Sequence, residues 1–345
     1  MGRVVLVTGV SRYLGGLYAR VLSADPEVDR IIGVDVVPPP HDIGRSDFVR
    51  ADIRNPVIAK VIGAAGVDTV VHMNVIATPT SAGGRVSMKE INVIGTMQLL
   101  AACQKAPSLR RLVVKSTSSV YGASPRDPAM FTEDTGAKVL PRSGWGKDSV
   151  EVEGYVRGFS RRRPDVDVVM LRLANFVGPG IRTALTDYFS LPVVPTVMGF
   201  DPRIQLVHED DGIEALRLAT TGTATGIVNV AGDGCITVNQ AVRMAGRVPA
   251  PVPPPLVGIV GQAARRSGLA DFSPEQIRFL SYGRGLDTTR MRRVLGFEPR
   301  YSTREAFADF VRGRRLTGPL SPDRVEAAEA KALGVVHSVA TAVVG

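Results

Sequence analysis

The first 35 residues restrict this chain more than any other stretch. Arg3-Val4-Val5-Leu6-Val7 is almost wholly apolar and rich in β-branched residues, the pattern of a strand buried on both faces. The turn Thr8-Gly9-Val10-Ser11-Arg12-Tyr13-Leu14-Gly15-Gly16 follows, and Leu14, Leu17, Tyr18, Val21 and Leu22 then recur at helical spacing. A second apolar run, Ile31-Ile32-Gly33-Val34, ends on Asp35. Strand, glycine turn, helix, strand and acid is the layout of a dinucleotide site. Free N–H groups at the helix N-terminus meet a pyrophosphate, and the acid takes the adenosine ribose hydroxyls. Gly9, Ser11, Arg12, Tyr13, Leu14, Gly15 and Asp35 are the cofactor candidates this pattern supplies. A G-x-x-G-x-x-G spacing asks for a glycine at position 12, where the chain carries Arg12.

Further buried runs follow in order. Residues 47–53 read as a third strand ending in Asp52-Ile53, with Asp52 reaching an adenine amine and Ile53 covering the ring. Capping of a helix that begins near Pro56 is the other role open to Asp52. Residues 67–71 form a fourth strand that finishes at His72-Met73-Asn74. A long helix is expected over 89–106, with Ile91, Val93, Ile94, Met97, Leu99 and Leu100 inside. Residues 112–115 form a fifth strand carrying Ser116 to Gly122 at its end, and 166–173 a sixth leading to Asn175. The carboxyl ends of parallel strands form the ligand crevice, so Asp35, Asp52, His72, Asn74 and Thr117 share one edge. The fold class is therefore α/β, a Rossmann-like doubly wound parallel sheet over residues 1–175. A smaller, mixed α/β C-terminal substrate domain is expected over 176–318, with segments returning to the main sheet and a tail at 319–345. Within it, short strands are read at 192–197, 204–207 and 227–230, a helix at 208–219, a proline-rich link at 249–255, and helices at 287–295 and 302–312.

The charge balance does not point to nucleic acid. Net charge is +9, but only seven of the 42 basic residues are lysine, and the arginines are scattered in pairs near helix ends without aromatic interleaving. No apolar run reaches the roughly 18 residues of a membrane span. Cys103 and Cys235 have no metal-ligand spacing and no leader-like segment opens the chain, so a reduced, cytoplasmic protein is expected. Glu209-Asp210-Asp211 reads as a helix N-terminus, and His72 and His208 as packing or hydrogen-bonding residues, so no metal is expected.

The ordered landmarks are Thr8-Gly9 with Gly15, Asp35, Asp52-Ile53, Val70-Val71-His72, Asn92-Val93-Ile94-Gly95-Thr96, Ser116 to Gly122, Leu171 to Asn175, Leu206-Val207-His208 and Asp287-Thr288-Thr289. On these the chain, from Val4 to about Val311, resembles an extended short-chain dehydrogenase/reductase. The branch is the NAD-dependent epimerase/dehydratase family typified by UDP-glucose 4-epimerase. Some actinobacterial members labelled sugar-nucleotide epimerases share the Ser-Arg glycine turn. The resemblance implies NAD and a nucleotide-sugar as partners, and a homodimer built through two helices per subunit. It adds Met73, Asn74 and Asn92 to the cofactor set, and Thr117, Asn175, Arg203 and Gln205 to the substrate set, with a surface position the other placement open to Arg203 and Gln205. NAD is expected ahead of NADP because the Asp35 carboxylate repels a 2′-phosphate, while Arg12 leaves weak or absent dinucleotide binding open.

The resemblance also implies a Ser/Thr–Tyr–Lys centre, with Thr117 as its hydroxyl. The family's Tyr-x-x-x-Lys falls on Trp145 and Ser149. An indole N–H does not exchange a proton near neutral pH, and serine has neither the charge nor the reach of lysine. Lys147, two residues from Trp145, faces another side of a helix. Tyr121 belongs to the loop after the fifth strand, not to the dyad. The usual hydride shuttle is therefore expected to be altered or lost. A non-enzymatic NAD(P)-binding or scaffold protein, and an active epimerase with a different acid/base, are the readings that stay open beside it.

Overall fold

The computed structural model describes residues 2–73, 84–142, 144–254, 256–258 and 273–316. Asn74 and the expected tail at 319–345 lie outside them. The first half alternates strand and helix: β1 (Arg3–Thr8), α1 (Tyr13–Leu22), β2 (Val28–Asp35), β3 (Asp47–Arg50), α2 (Val57–Ala64) and β4 (Thr69–His72). Then come α3 (Arg85–Lys89), α4 (Gly95–Gln104), β5 (Arg111–Thr117), α5 (Gly144–Arg162) and β6 (Asp167–Leu173). The second half holds β7 (Asn175–Val177), α6 (Ala184–Ser190), β8 (Val193–Val197), β9 (Arg203–Ile204), β10 (Leu206–His208) and α7 (Glu209–Thr221). It closes with β11 (Gly226–Val230), β12 (Ile236–Thr237), α8 (Val238–Met244), β13 (Val248–Val252), α9 (Pro274–Tyr282), α10 (Thr289–Arg293) and α11 (Thr303–Gly313).

Seven strands form one parallel sheet in the order β11-β6-β5-β4-β1-β2-β3. The order reverses between β1 and β4, which opens the crevice of a doubly wound sheet at the carboxyl ends of those strands. Strand alternation divides the core into two layers. Val5, Val7 and Val113 face α1 and α7 through Tyr18, Leu22, Ile213 and Leu216. Leu6, Val70 and Val114 face α2, α4 and α5 through Ile62, Leu99, Val156 and Phe159. A third cluster joins α6, α8, α9 and α11 through Phe189, Val242, Phe279, Phe307 and Phe310.

Four local expectations change. The third strand stops at Arg50, so Asp52-Ile53 sits in the following turn. The long helix begins at Arg85 and contains a π-helical segment, Glu90–Ile94. That extra residue per turn rotates the apolar face, which leaves Ile94 and Met97 exposed instead of inside. Residues 249–255 are not simply a link: Val248–Val252 is β13, paired in parallel with β8. In a two-stranded sheet every strand is an edge, where Pro249 and Pro251 need donate nothing to a ladder.

Gly15, in the first turn of α1, has no room for a side chain, since a Cβ there would stand 2.1 Å from the Gly9 carbonyl oxygen. Gly154, exposed in the middle of α5, has nothing within 4 Å of its Cβ position. Gly15→Ala should therefore lower stability by about 1–3 kcal/mol through overpacking. Gly154→Ala should raise it by about 0.5–1 kcal/mol through helix propensity. Urea denaturation midpoints of the two variants test both signs.

Candidate active site

The glycine turn is held by its own backbone. Gly9 has φ 81° and donates to the Val34 carbonyl at 2.9 Å, while Arg12 N donates to Gly9 O at 3.2 Å. Arg12 is the residue before α1, and its side chain does not cap the helix. The N–H groups of the first turn have no intrahelical partner and carry the positive end of the dipole. Asp35 accepts from Ser11 N at 3.1 Å and from Val36 N at 2.8 Å, which fastens the tip of β2 to the turn. Burial lowers the pKa of the Arg12 guanidinium, with Asp35 acting in the opposite direction.

A cavity of about 550 Å³ opens above this turn. Gly9, Ser11, Arg12, Tyr13, Leu14, Gly15, Met73, Thr117 and Asn175, all sequence candidates, line it. Lys115, Trp145, Arg182 and Gln276 join them. Every charged side chain among the described lining residues is cationic: Arg12, Lys115 and Arg182. Burial, and then the charge of Arg12, bring the Lys115 ammonium down to about 8. The phenol of Tyr13 donates to Glu209 Oε1 at 3.1 Å, and the same carboxylate accepts from Gly180 N at 3.0 Å and Ile181 N at 2.6 Å. Glu209 thus shapes the cavity wall from the head of α7.

A second cavity, of about 220 Å³, is lined by Ser119, Arg142, Arg278, Phe279 and Arg284. Trp145, Asn175 and Gln276 line both cavities. Gln276 Nε2 is buried there and finds no hydrogen-bond partner among the described residues. Arg284 is buried, donates to Gly122 O through Nε at 3.0 Å and to Ser118 Oγ through Nη1 at 3.2 Å, and lies over the Phe279 ring. Burial draws its pKa down to about 10.

Trp145 stands in the first turn of α5, where both cavities meet. Ser149 is buried and its hydroxyl donates to Trp145 O at 2.9 Å, so it is spent on the helix backbone. Lys147 points to solvent and pairs with Glu151 at 3.9 Å. Tyr121 is sealed inside: its hydroxyl donates to Asn229 Oδ1 at 2.7 Å and accepts from Arg172 Nη1 at 2.9 Å. Arg172 also donates to both oxygens of Glu153, at 2.9 and 2.7 Å, and Ser116 Oγ donates to Glu153 at 2.6 Å.

Other sequence candidates line neither cavity. Asp52 is held by the Arg54 guanidinium at 2.6 Å, which keeps its carboxyl below the usual range, and Ile53 packs in the core. Asn92 is buried and donates to Asp148 at 3.4 Å. Gln205 is used between Gly232 O and Leu286 N, and Arg203 is exposed. Lys115, Gln276, Arg278 and Arg284 were not anticipated. Only Lys115 carries a local signal, a lysine directly after the apolar run of a buried strand.

Residues 5–231 match the NAD dependent epimerase/dehydratase family. The chain belongs to that family. An uncharacterized protein of Mycobacterium tuberculosis is 49% identical to this family member over 97% of the chain and 90% of its own length. Among solved structures, MoeE5 in complex with UDP-glucuronic acid and NAD superposes with a TM-score of 0.69 at 23% identity, over 90% of this chain and 99% of that one. The UDP-glucose 4-epimerase of Thermotoga maritima with UDP-glucose gives 0.68 at 19% identity, over 90% and 98%. They share the seven-stranded Rossmann-like architecture.

His72, between β1 and α4, bonds Thr8 Oγ1 at 2.9 Å and Thr96 Oγ1 at 2.8 Å. Burial, with Lys115 nearby, holds its pKa down to about 4. The unfolded chain therefore binds this proton first as pH falls, and stability is lost between pH 6.5 and about 4. The loss assigned to this residue is roughly 3 kcal/mol. Chemical denaturation across that window should show it in the wild type and not in His72→Gln.

Proposed function

We propose that this chain binds NAD over the glycine turn and a nucleotide-sugar-type ligand in the smaller cavity, and that the family's proton relay is lost or rebuilt. The observation that carries this reading is the meeting of the two cavities at Trp145, Asn175 and Gln276. MoeE5 is named with UDP-glucuronic acid and NAD, and the Thermotoga maritima enzyme with UDP-glucose. The residues fit such ligands in three ways. The first-turn N–H groups of α1 would receive a pyrophosphate. The charged lining of the larger cavity is cationic. Asp35 at the tip of β2 favours a free ribose over a 2′-phosphate.

Bound NAD would supply a hydride acceptor. In this chain Thr117 would hold the sugar hydroxyl, Asn175 and the spare Gln276 donor would orient the ligand between the cavities, and Arg278 and Arg284 would supply charge near its phosphates. Trp145 and Ser149 stand at the tyrosine and lysine positions of the family's dyad, and neither moves a proton near neutral pH. Tyr121 is fully committed to its buried network. Binding is therefore retained while oxidation at the sugar is weakened or absent.

Calorimetry should register NAD binding, tighter than NADP, and no heat at about 1 mM NAD would count against the reading. Trp145→Tyr combined with Ser149→Lys should tighten NAD or raise 4-epimerisation of UDP-glucose by about 10²-fold or more. A folded double variant unchanged in both respects would move the dyad elsewhere.

A homodimer through the α3–α5 side belongs to the same reading. Val86, Ile94, Met97 and Tyr155 are large apolar residues exposed on that side. Sedimentation velocity should give a dimer for the wild type and a monomer for Ile94→Glu with Met97→Glu.

A further inference from the structure

We infer that Trp145 selects the oxidation level of the ligand: where the two cavities meet, its indole N–H donates to a carbonyl or carboxylate oxygen of the sugar, so the site prefers a sugar oxidised there to the corresponding alcohol. The inference rests on the nucleotide-sugar reading above. It gives a binding role to a residue which that reading treats only as a lost proton carrier.

Helix geometry sets its position. Trp145, Ser149, Val152 and Val156 recur at i, i+4, i+7 and i+11, which puts them on one stripe of α5. Val152 and Val156 are buried in the layer that packs under Val114 of the sheet. At its N-terminal end the stripe reaches the crevice. There Trp145 lines both cavities, with Thr117 beside it in the larger and Ser119 in the smaller. The indole is half-buried, and its N–H bonds none of the described residues.

The chemistry of the indole decides what it can meet. It is a donor and never an acceptor. A hydroxyl set against it can accept, but must give its own proton to another group. A carbonyl or carboxylate oxygen is satisfied by donors alone. The neighbours are of the same kind. Thr117 Oγ1 accepts from Ser119 N at 3.1 Å, so its proton is what it offers outward. Gln276 Nε2 is a donor with no partner among the described residues, and the charged lining of the larger cavity is cationic. Glu275, a carboxylate on the wall of the smaller cavity, turns toward α5: its Oε2 lies 3.2 Å from where a Cβ of Gly144 would stand. The Asn175 amide carries both kinds of group and turns to suit its ligand. A tyrosine at position 145, whose oxygen donates and accepts, would suit an alcohol as well. With tryptophan there, an alcohol leaves a polar group unmatched, the kind of mismatch on which hydrogen-bonding sites discriminate most sharply.

Trp145 is the single tryptophan of the chain, so intrinsic fluorescence reports on this residue alone. With the full chain and NAD present, UDP-glucuronic acid should change the indole emission. Calorimetry should find it bound at least about 10-fold more tightly than UDP-glucose. Trp145→Phe keeps a flat ring and removes the N–H. Its preference should fall to within about 3-fold, mainly through weaker binding of UDP-glucuronic acid. Trp145→Tyr should gain affinity for UDP-glucose. Thermal melts establish that the variants fold, and where one does not, the two wild-type readouts decide. Equal wild-type affinity for the two sugars would overturn the inference, as would UDP-glucuronic acid bound with the emission unchanged. A folded Trp145→Phe that keeps the whole preference would also overturn it, and would assign the preference to the cations of the cavity walls. Binding of neither sugar by a chain that still takes NAD would end the nucleotide-sugar reading and this inference with it.

Discussion

The buried ion pair between Glu153 on α5 and Arg172 on β6 is the interaction on which the site most depends. Both side chains are nearly excluded from water, and each charge is met by more than its partner. Ser116 of β5 donates to the carboxylate. The guanidinium reaches Tyr121 and the Glu133 carbonyl, and stacks over the Tyr121 ring. Removing one partner of such a pair costs about 3–5 kcal/mol because the other is left charged and dry. One network thus sets the distance of α5, and so of Trp145, from the end of β5.

Above that network the chemistry is defined by which groups are spent and which are left. Ser149, Tyr121 and Lys147 are each engaged within the protein. The charged side chains that line the larger cavity are cationic: Arg12, Lys115 and Arg182. The crevice thus combines the positive end of a helix dipole with a cationic lining.

Much of the fold was legible in the sequence because buried parallel strands read as continuous apolar runs. Where a run was not continuous the reading failed. Val248–Val252 looked like a linker because alternate prolines are unusual in strands, and only its pairing with β8 reveals it. The π segment at Glu90–Ile94 shifts the helix face and has no local sequence mark. The glycine-turn residues, Met73, Thr117 and Asn175 line the larger cavity. Asp35 was foreseen at the tip of β2 but not its hold on the turn backbone. Asp52 was foreseen at the same edge, yet Arg54, two residues on, claims it. The smaller cavity was not legible, because Arg278 and Arg284 reach it from more than a hundred residues beyond Ser119.

The fastening of Arg284 joins stretches of the chain that lie far apart in sequence. Its guanidinium clasps the Gly122 carbonyl and the Ser118 hydroxyl, and Arg278 donates to the neighbouring Ala123 carbonyl at 2.9 Å. Two arginines therefore fasten the segment after α9 and α9 itself to the loop leaving β5. The walls of the smaller cavity are tied together across more than 150 residues of sequence, so that losing either guanidinium would loosen the loop and the helix at once.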